Sequence, residues 1–145
     1  MAADEETLKK LLVEIRMMEG SANLIQSRLR IVSSALEETA IAMNALEGVK
    51  GCPKGTEVLV PVGAGSFICA ELSDVEKAIT GVGAGVCIEK SIESSTTDLK
   101  ERQAELEKLS ASLRQQLEQL LASIENTKKN LSRMIEQQQG TPQRA

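Results

Sequence analysis

Between Leu8 and Leu46 the apolar residues recur at alternating steps of three and four without a break. Leu8, Ile15, Ala22, Leu29, Leu36 and Met43 stand seven apart, and Leu11, Met18, Ile25, Val32, Thr39 and Leu46 interleave with them at the same spacing. A helix turns once every 3.6 residues, so this spacing draws one narrow apolar line along its side, the a and d positions of a heptad repeat. Only Ala22 and Thr39 are weak members. A stripe this narrow cannot bury itself, so the helix requires a partner helix against it. Gly48, Gly51 and Pro53 set its end near Glu47.

The last third of the chain supplies that partner. Ile92, Leu99, Leu106 and Leu113 stand seven apart, Leu109 fills one intermediate position, and Leu117, Leu120, Ile124, Thr127, Leu131 and Met134 continue at alternating four and three. Read through Leu109, the steps from Leu106 to Leu117 are three, four and four, a stutter at which a left-handed supercoil unwinds locally. Ser91 is placed to cap the start of this helix, which is expected to fray over Gln137 to Gly140, ahead of Pro142. At ~1.5 Å per residue each helix would be roughly 60 to 70 Å long, and a connection of about 40 residues reverses the chain more easily than it spans such a rod. The pair is therefore expected to be antiparallel. That arrangement sets Asp4, Glu5 and Glu6 opposite Lys128, Lys129 and Arg133, each set also suiting its own helix dipole. Charges that are merely solvated are the equal alternative, because exposed pairs contribute little.

The segment from Gly51 to Lys90 changes period. "EVLVPV" sets Val58, Val60 and Val62 on one face, and "SFICAEL" follows after Gly63, Ala64 and Gly65. This is strand, glycine turn, strand. After a turn at Ser73 and Asp74 the arrangement returns as "EKAITGV" and "GVCIEK" around Gly83, Ala84 and Gly85. The doubled "VGAG" thus reads as two hairpin turns. A phosphate-binding loop needs a third glycine and a helix opening directly behind it. Here Ile68 holds the third-glycine position of the first copy, Val86 follows the second, and neither copy carries the Lys-Ser or Lys-Thr pair of a P-loop.

Two isolated hairpins are marginal in water and leave strand edges open, and Pro61 marks an edge or a bulge. Strands from other chains are expected to complete them. Val58, Val60, Val62, Phe67, Ile68, Ile79, Val82, Val86 and Ile88 are the candidates for a shared core, with Gly63, Gly65, Gly83 and Gly85 at the turns. For any single one of the core candidates, packing within its own chain is equally open.

Composition narrows the function classes. With one Phe and no Trp, Tyr or His among 145 residues, the core is left to Leu, Ile, Val, Met and Ala, the usage of long helices. The net charge of −4 and the lack of a basic stripe argue against a nucleic-acid partner. No run is long or apolar enough for a signal peptide or a bilayer span, so a cytoplasmic location is expected. Cys52, Cys69 and Cys87 fit neither a zinc pattern nor a disulfide framework, and are read as small half-buried apolar residues in a reducing compartment. No metal or other cofactor is expected. No convergent catalytic set stands out either, and Glu57, Glu71 and Glu89 read as strand-end or solvent-facing charges. The expectation is not an enzyme.

The order heptad helix, "VLVPVGAGSFICAEL", "KAITGVGAGVCIEKSIE", heptad helix resembles the alpha-type subunits of prefoldin, the archaeal and eukaryotic co-chaperone, over about Glu5 to Gln138. The paired hairpins carry the resemblance, since heptads alone occur in unrelated proteins. It implies an α+β, mostly α fold: a long antiparallel coiled coil with two β-hairpins at its joined end, which build β-barrels between subunits. As a single domain over residues 1–145, the chain would comprise coil helices at 5–47 and 92–138, hairpins over 57–90, and a disordered tail at 139–145. The implied partners are prefoldin beta subunits, in a hexamer of two alpha and four beta chains, unfolded client proteins, and a group II chaperonin, with no nucleic acid and no membrane. The implied activity is capture of clients at the coil tips without ATP.

On this chain the tips fall at Leu8, Leu11, Leu12 and Ile15 of the first helix and Leu131, Met134 and Ile135 of the second. Unbranched Leu and Met adapt to varied partners. Leu12 and Ile135 lie off the seam and are the first candidates for client contact; for the other five, closing the coil is the equal alternative. A passive coiled-coil scaffold, or a related chain that assembles into filaments, is the rival reading.

Overall fold

A computed structural model describes residues 2–140. The element order is α1 (Ala2–Val49), β1 (Glu57–Gly63), β2 (Ser66–Glu71), β3 (Lys77–Gly83), β4 (Val86–Ser91) and α2 (Ile92–Gln139). Both helices have 48 residues. The expected helix end near Glu47 moves two residues on, to Val49, where Cys52 donates its N–H to Val49 O at 3.1 Å and Gly51 takes a φ of 81°. Ser91 caps α2 as its position suggests: its Oγ accepts the N–H of Ser94 at 3.1 Å. At the other end α2 includes Gln139, and the N–H of Gly140 donates to Glu136 O at 2.8 Å. Residues 141–145 of the expected tail lie outside the described residues.

The chain divides into two compact units. The first joins the helical segment through Ser34 with the segment from Lys108 onward. Ile15, Ala22, Val32, Leu113 and Ile124 form its buried apolar core together with Ser110. Glu19 of α1 and Lys128 of α2 meet across it at 2.9 Å. A residue near the start of α1 thus pairs with one near the end of α2, so the two segments run antiparallel.

That ion pair corrects the expected charge match. Lys128 bonds Glu19 rather than an acid at the start of α1, Lys129 lies 3.5 Å from Glu125 of its own helix, and Glu6 lies 3.5 Å from Lys10. Pairs four residues apart on one helix need no tertiary alignment, so they form first wherever the spacing offers them.

The stutter in α2 is also corrected. Leu109 is 48% exposed, whereas Ser110 is 7% exposed. The covered line runs Ile92, Thr96, Leu99, Gln103, Leu106, Ser110, Leu113, Leu117, Leu120, Ile124, Thr127, Leu131 and Met134, an unbroken alternation of four and three. Following apolar residues alone led off this line at Leu109. A serine is small enough for a seam, and the hydroxyl of a seam threonine need not go unpaired: Thr96 Oγ1 donates to Ile92 O at 2.8 Å.

The second unit runs from Ala35 to Glu107 and holds both hairpins. β1 pairs with β2 and β3 with β4, each antiparallel, as two separate two-stranded sheets. In the first, Val58 faces Ala70, Leu59 faces Cys69, Val60 faces Ile68 and Pro61 faces Phe67; in the second, Ala78 faces Lys90, Ile79 faces Glu89, Thr80 faces Ile88 and Gly81 faces Cys87. Both registers slip by one residue at the same place, between Pro61 and Gly63 and between Gly81 and Gly83, leaving Val62 and Val82 as the extra residues of a bulge. The turns explain the recurrent glycines. Ala64 and Gly65 have φ of 49° and 73°, Ala84 and Gly85 have 52° and 74°, the two positive values a tight two-residue hairpin turn requires.

Candidate functional site

Cross-strand partners share a face of a sheet, so the registers assign each side chain to one side. On the first hairpin, Val58, Val60, Ile68 and Ala70 form one face and Leu59, Pro61, Phe67 and Cys69 the other. Both faces are apolar. Among the core candidates only Val58 is half-buried, while Val60, Val62, Phe67, Ile68, Ile79, Val82, Val86 and Ile88 are exposed, Ile79 to 80%. Gly63, Gly65, Gly83 and Gly85 all have positive φ at the turns.

One face of the second hairpin meets α2. Thr80 Oγ1 and Ser95 Oγ of α2 share a hydrogen bond at 2.7 Å, and Lys90 pairs with Asp98 of α2. The backbone adds Ile92 N–H to Glu76 O at 2.9 Å. Thr80 and Lys90 lie on the same face as Ala78, so that face turns to the start of α2, and Ser95 is fully buried beneath it. Among the described residues, the side-chain bonds that join strand to helix lie on this hairpin. Its approach is fixed by Asp74, whose Oδ1 accepts the N–H of Glu76 at 2.8 Å and of Lys77 at 3.2 Å. The Glu76 bond above all holds the Asp74 carboxyl below its ordinary pKa.

The cysteines depart from their expected half-burial. Cys52 is half-buried, its Sγ donating to Gly48 O at 3.2 Å, but Cys69 and Cys87 are exposed. Each stands on an outward strand face, and an isolated two-stranded sheet has nothing to lay over that side.

At the tip, Ile15 is buried, Leu8, Leu11, Leu131 and Met134 are half-buried, and Leu12 and Ile135 are 47% and 41% exposed. The seam residues thus turn inward, and the two off-seam ones lie open. Sequence reasoning passed over further exposed residues of α1, Val13, Met17, Leu24, Ile31 and Ile41. The spacing of seven from Met17 to Leu24 to Ile31 was the available signal. No helix among the described residues is long and apolar enough to cross a membrane.

A family profile described as Prefoldin subunit matches residues 18–137. "Prefoldin subunit alpha" of Methanopyrus kandleri is 34% identical over 113 residues, 78% of this chain and 72% of that protein. Its counterpart in Methanococcoides burtonii is 32% identical over 126 residues, 84% of this chain and 91% of that protein. Among solved structures, filamentous PFD from Methanocaldococcus jannaschii superposes with a TM-score of 0.66 at 20% identity, over 77% of this chain and 93% of that one. The prefoldin beta subunit from Thermococcus strain KS-1 gives 0.54 at 18%, over 94% and 95%.

Proposed function

This chain belongs to the prefoldin subunit family, with relatives of the alpha type, and from that premise we propose that it is an ATP-independent holdase subunit. It assembles through its hairpins with one-hairpin beta subunits, two alpha chains to four beta. The coil tips hold unfolded proteins against aggregation and pass them to a group II chaperonin, in the cytoplasm and without a cofactor. Catalysis is no part of this role.

The observation that carries the reading is the state of the first hairpin. Apolar side chains stand exposed on both of its faces, a surface that a soluble chain keeps only for a partner. Strands from neighbouring subunits would cover both faces and pair the open edges. Val58, Val60, Val62, Phe67, Ile68, Ile79, Val82, Val86 and Ile88 then form the assembly core.

Client capture calls for apolar groups that are open yet too few to collapse on one another. Leu12 and Ile135 fit that description, with Leu8, Leu11, Ile15, Leu131 and Met134 closing the coil behind them. Several weak sites on separate coils gain by acting together what each lacks alone.

The test is light scattering from a chemically unfolded protein diluted into ATP-free buffer with the chain assembled on a beta-type partner. Suppression by the full-length assembly, lost when both coils are cut back before Ile15 and after Thr127 or when Leu12→Ser and Ile135→Ser are combined, is the expected result. Suppression that survives both changes removes the tips from the mechanism. A full-length assembly that suppresses nothing leaves the chain a scaffold or filament former.

A further inference from the structure

Pro61 and Gly81 hold the same position in the twin hairpins, opposite Phe67 and Cys87. The backbone at both positions points away from the partner strand. Leu72 donates its N–H to Thr56 O at 3.0 Å, and Ile92 donates its N–H to Glu76 O at 2.9 Å. In an antiparallel ladder a bond of this kind brackets a pair whose own N–H and C=O groups turn outward. Glu57–Glu71 and Lys77–Ser91 are therefore such pairs, and the alternation carries the pattern to Leu59 and Pro61 on β1 and to Ile79 and Gly81 on β3.

Each sheet has only two strands, so these outward rows face no third strand. The rows are not alike. β3 presents an N–H and a C=O at Lys77, Ile79 and Gly81. β1 presents both at Glu57 and Leu59 but only a C=O at Pro61, where the ring stands in place of the N–H. Within its own hairpin the proline forfeits no ladder bond, which is why a strand can hold it there. A neighbouring strand laid along β1 would miss one bond at Pro61 and leave its own carbonyl unpaired. Laid along β3, it is bonded as far as Gly81.

Nothing in the chain itself requires glycine at 81. Its φ is not positive, and a Cβ added there would meet nothing within 4 Å. The contrast between the two positions therefore bears on what lies outside the hairpin. An open row of backbone donors and acceptors fits one kind of partner, another extended strand.

We propose that Pro61 and Gly81 determine which edge takes a neighbour: Pro61 shuts β1 to a full-length strand, and Gly81 keeps β3 open for a strand of a one-hairpin beta subunit. The proposal rests on the assembly described above, in which beta hairpins outnumber those of the other alpha chain and are the neighbours an alpha edge most often meets.

Sedimentation of the chain mixed with a one-hairpin beta subunit tests this with Gly81→Pro, Gly81→Ala and Pro61→Ala beside wild type. Gly81→Pro removes the outward N–H while leaving the hairpin's own ladder intact, and should weaken assembly about tenfold. Gly81→Ala adds a Cβ but keeps the N–H, and should assemble as wild type does. Pro61→Ala tests the same idea without introducing a proline: it supplies the donor that β1 lacks, and the newly opened edge should yield complexes heavier than wild type. Gly81→Pro that assembles as well as Gly81→Ala would overturn the proposal, and so would Pro61→Ala complexes of wild-type mass. Gly81→Pro chains that join the beta subunit normally but lose self-association in its absence would give the β3 edge to a second copy instead. A wild-type chain that does not join the beta subunit at all defeats the proposed function, and this inference with it.

Discussion

The two hairpins are built on one plan twenty residues apart, yet they stand in different relations to their own chain. Turn, bulge and register coincide residue for residue. Among the positions where their side chains differ, two on one face decide their relation to the helix. Where the first hairpin has Val60 and Ala70, the second has Thr80 and Lys90, which bond Ser95 and Asp98 of α2. Glycines thus determine the shape of a hairpin, and two polar side chains hold the second one to its own helix.

A carboxylate on the first hairpin should break this arrangement most severely. Val60→Asp would bury an unpaired charge in any assembled state, and association with a beta subunit should fall by at least about a hundredfold, measured as the mass of the mixture. Thr80→Asp, at the twin position, stays beside Ser95 and within reach of solvent, and should cost assembly far less. Equal loss from both would mean that the two faces are covered alike.

Removing the tether gives a smaller effect. Thr80→Val gives the second hairpin the residue the first has at that position and leaves Ser95 buried with one partner fewer, a loss of about 1 kcal/mol in urea unfolding. Lys90 and Asp98 are partly exposed, so Lys90→Met should cost about 0.5 kcal/mol or less. Val60→Thr should recover none of this on the first hairpin.

The turns should respond alike. Ala64 and Ala84 occupy the left-handed region that costs a residue with a Cβ roughly 1–2 kcal/mol, part of which glycine gives back as entropy of the unfolded chain. Ala64→Gly and Ala84→Gly should each stabilise by about 0.5 kcal/mol. A gain confined to one turn would separate two hairpins that their backbones make equal.

Acid should give the smallest response, and only on the second hairpin. Asp74 has its folded pKa depressed by the N–H groups of Glu76 and Lys77. Its contribution is complete above the ordinary carboxylate pKa and is lost as pH falls through the lower folded value. The amide resonances of Glu76 and Lys77 should follow that titration, and Asp74→Asn should flatten it.

Much of this architecture can be read from spacing. The α1 seam, the four strands, the turns and the Ser91 cap each follow from a local rule, the period of a heptad, the alternation of a strand, or the backbone a glycine permits. What escaped reading depends on neighbours distant in sequence. Ser110 sits on the seam because a small polar residue can be buried at a helix contact, which a search for apolar residues passes over. Nothing around Thr80 or Lys90 in sequence announces Ser95 and Asp98. The partner of Lys128 is likewise set by the register of two helices, which local spacing does not give. At the candidate site the strand residues were legible, but their exposure on both faces of the first hairpin was not, since alternation had assigned the valines to one face only.

The open position of Cys69 and Cys87 has a practical side. A chain without Trp or Tyr is nearly silent to absorbance and fluorescence, but it carries a thiol on the outward face of each hairpin. Alkylation read by mass spectrometry then becomes a footprint taken from within: each cysteine that stops reacting when a partner is added marks which of the two faces has been covered, and in what order.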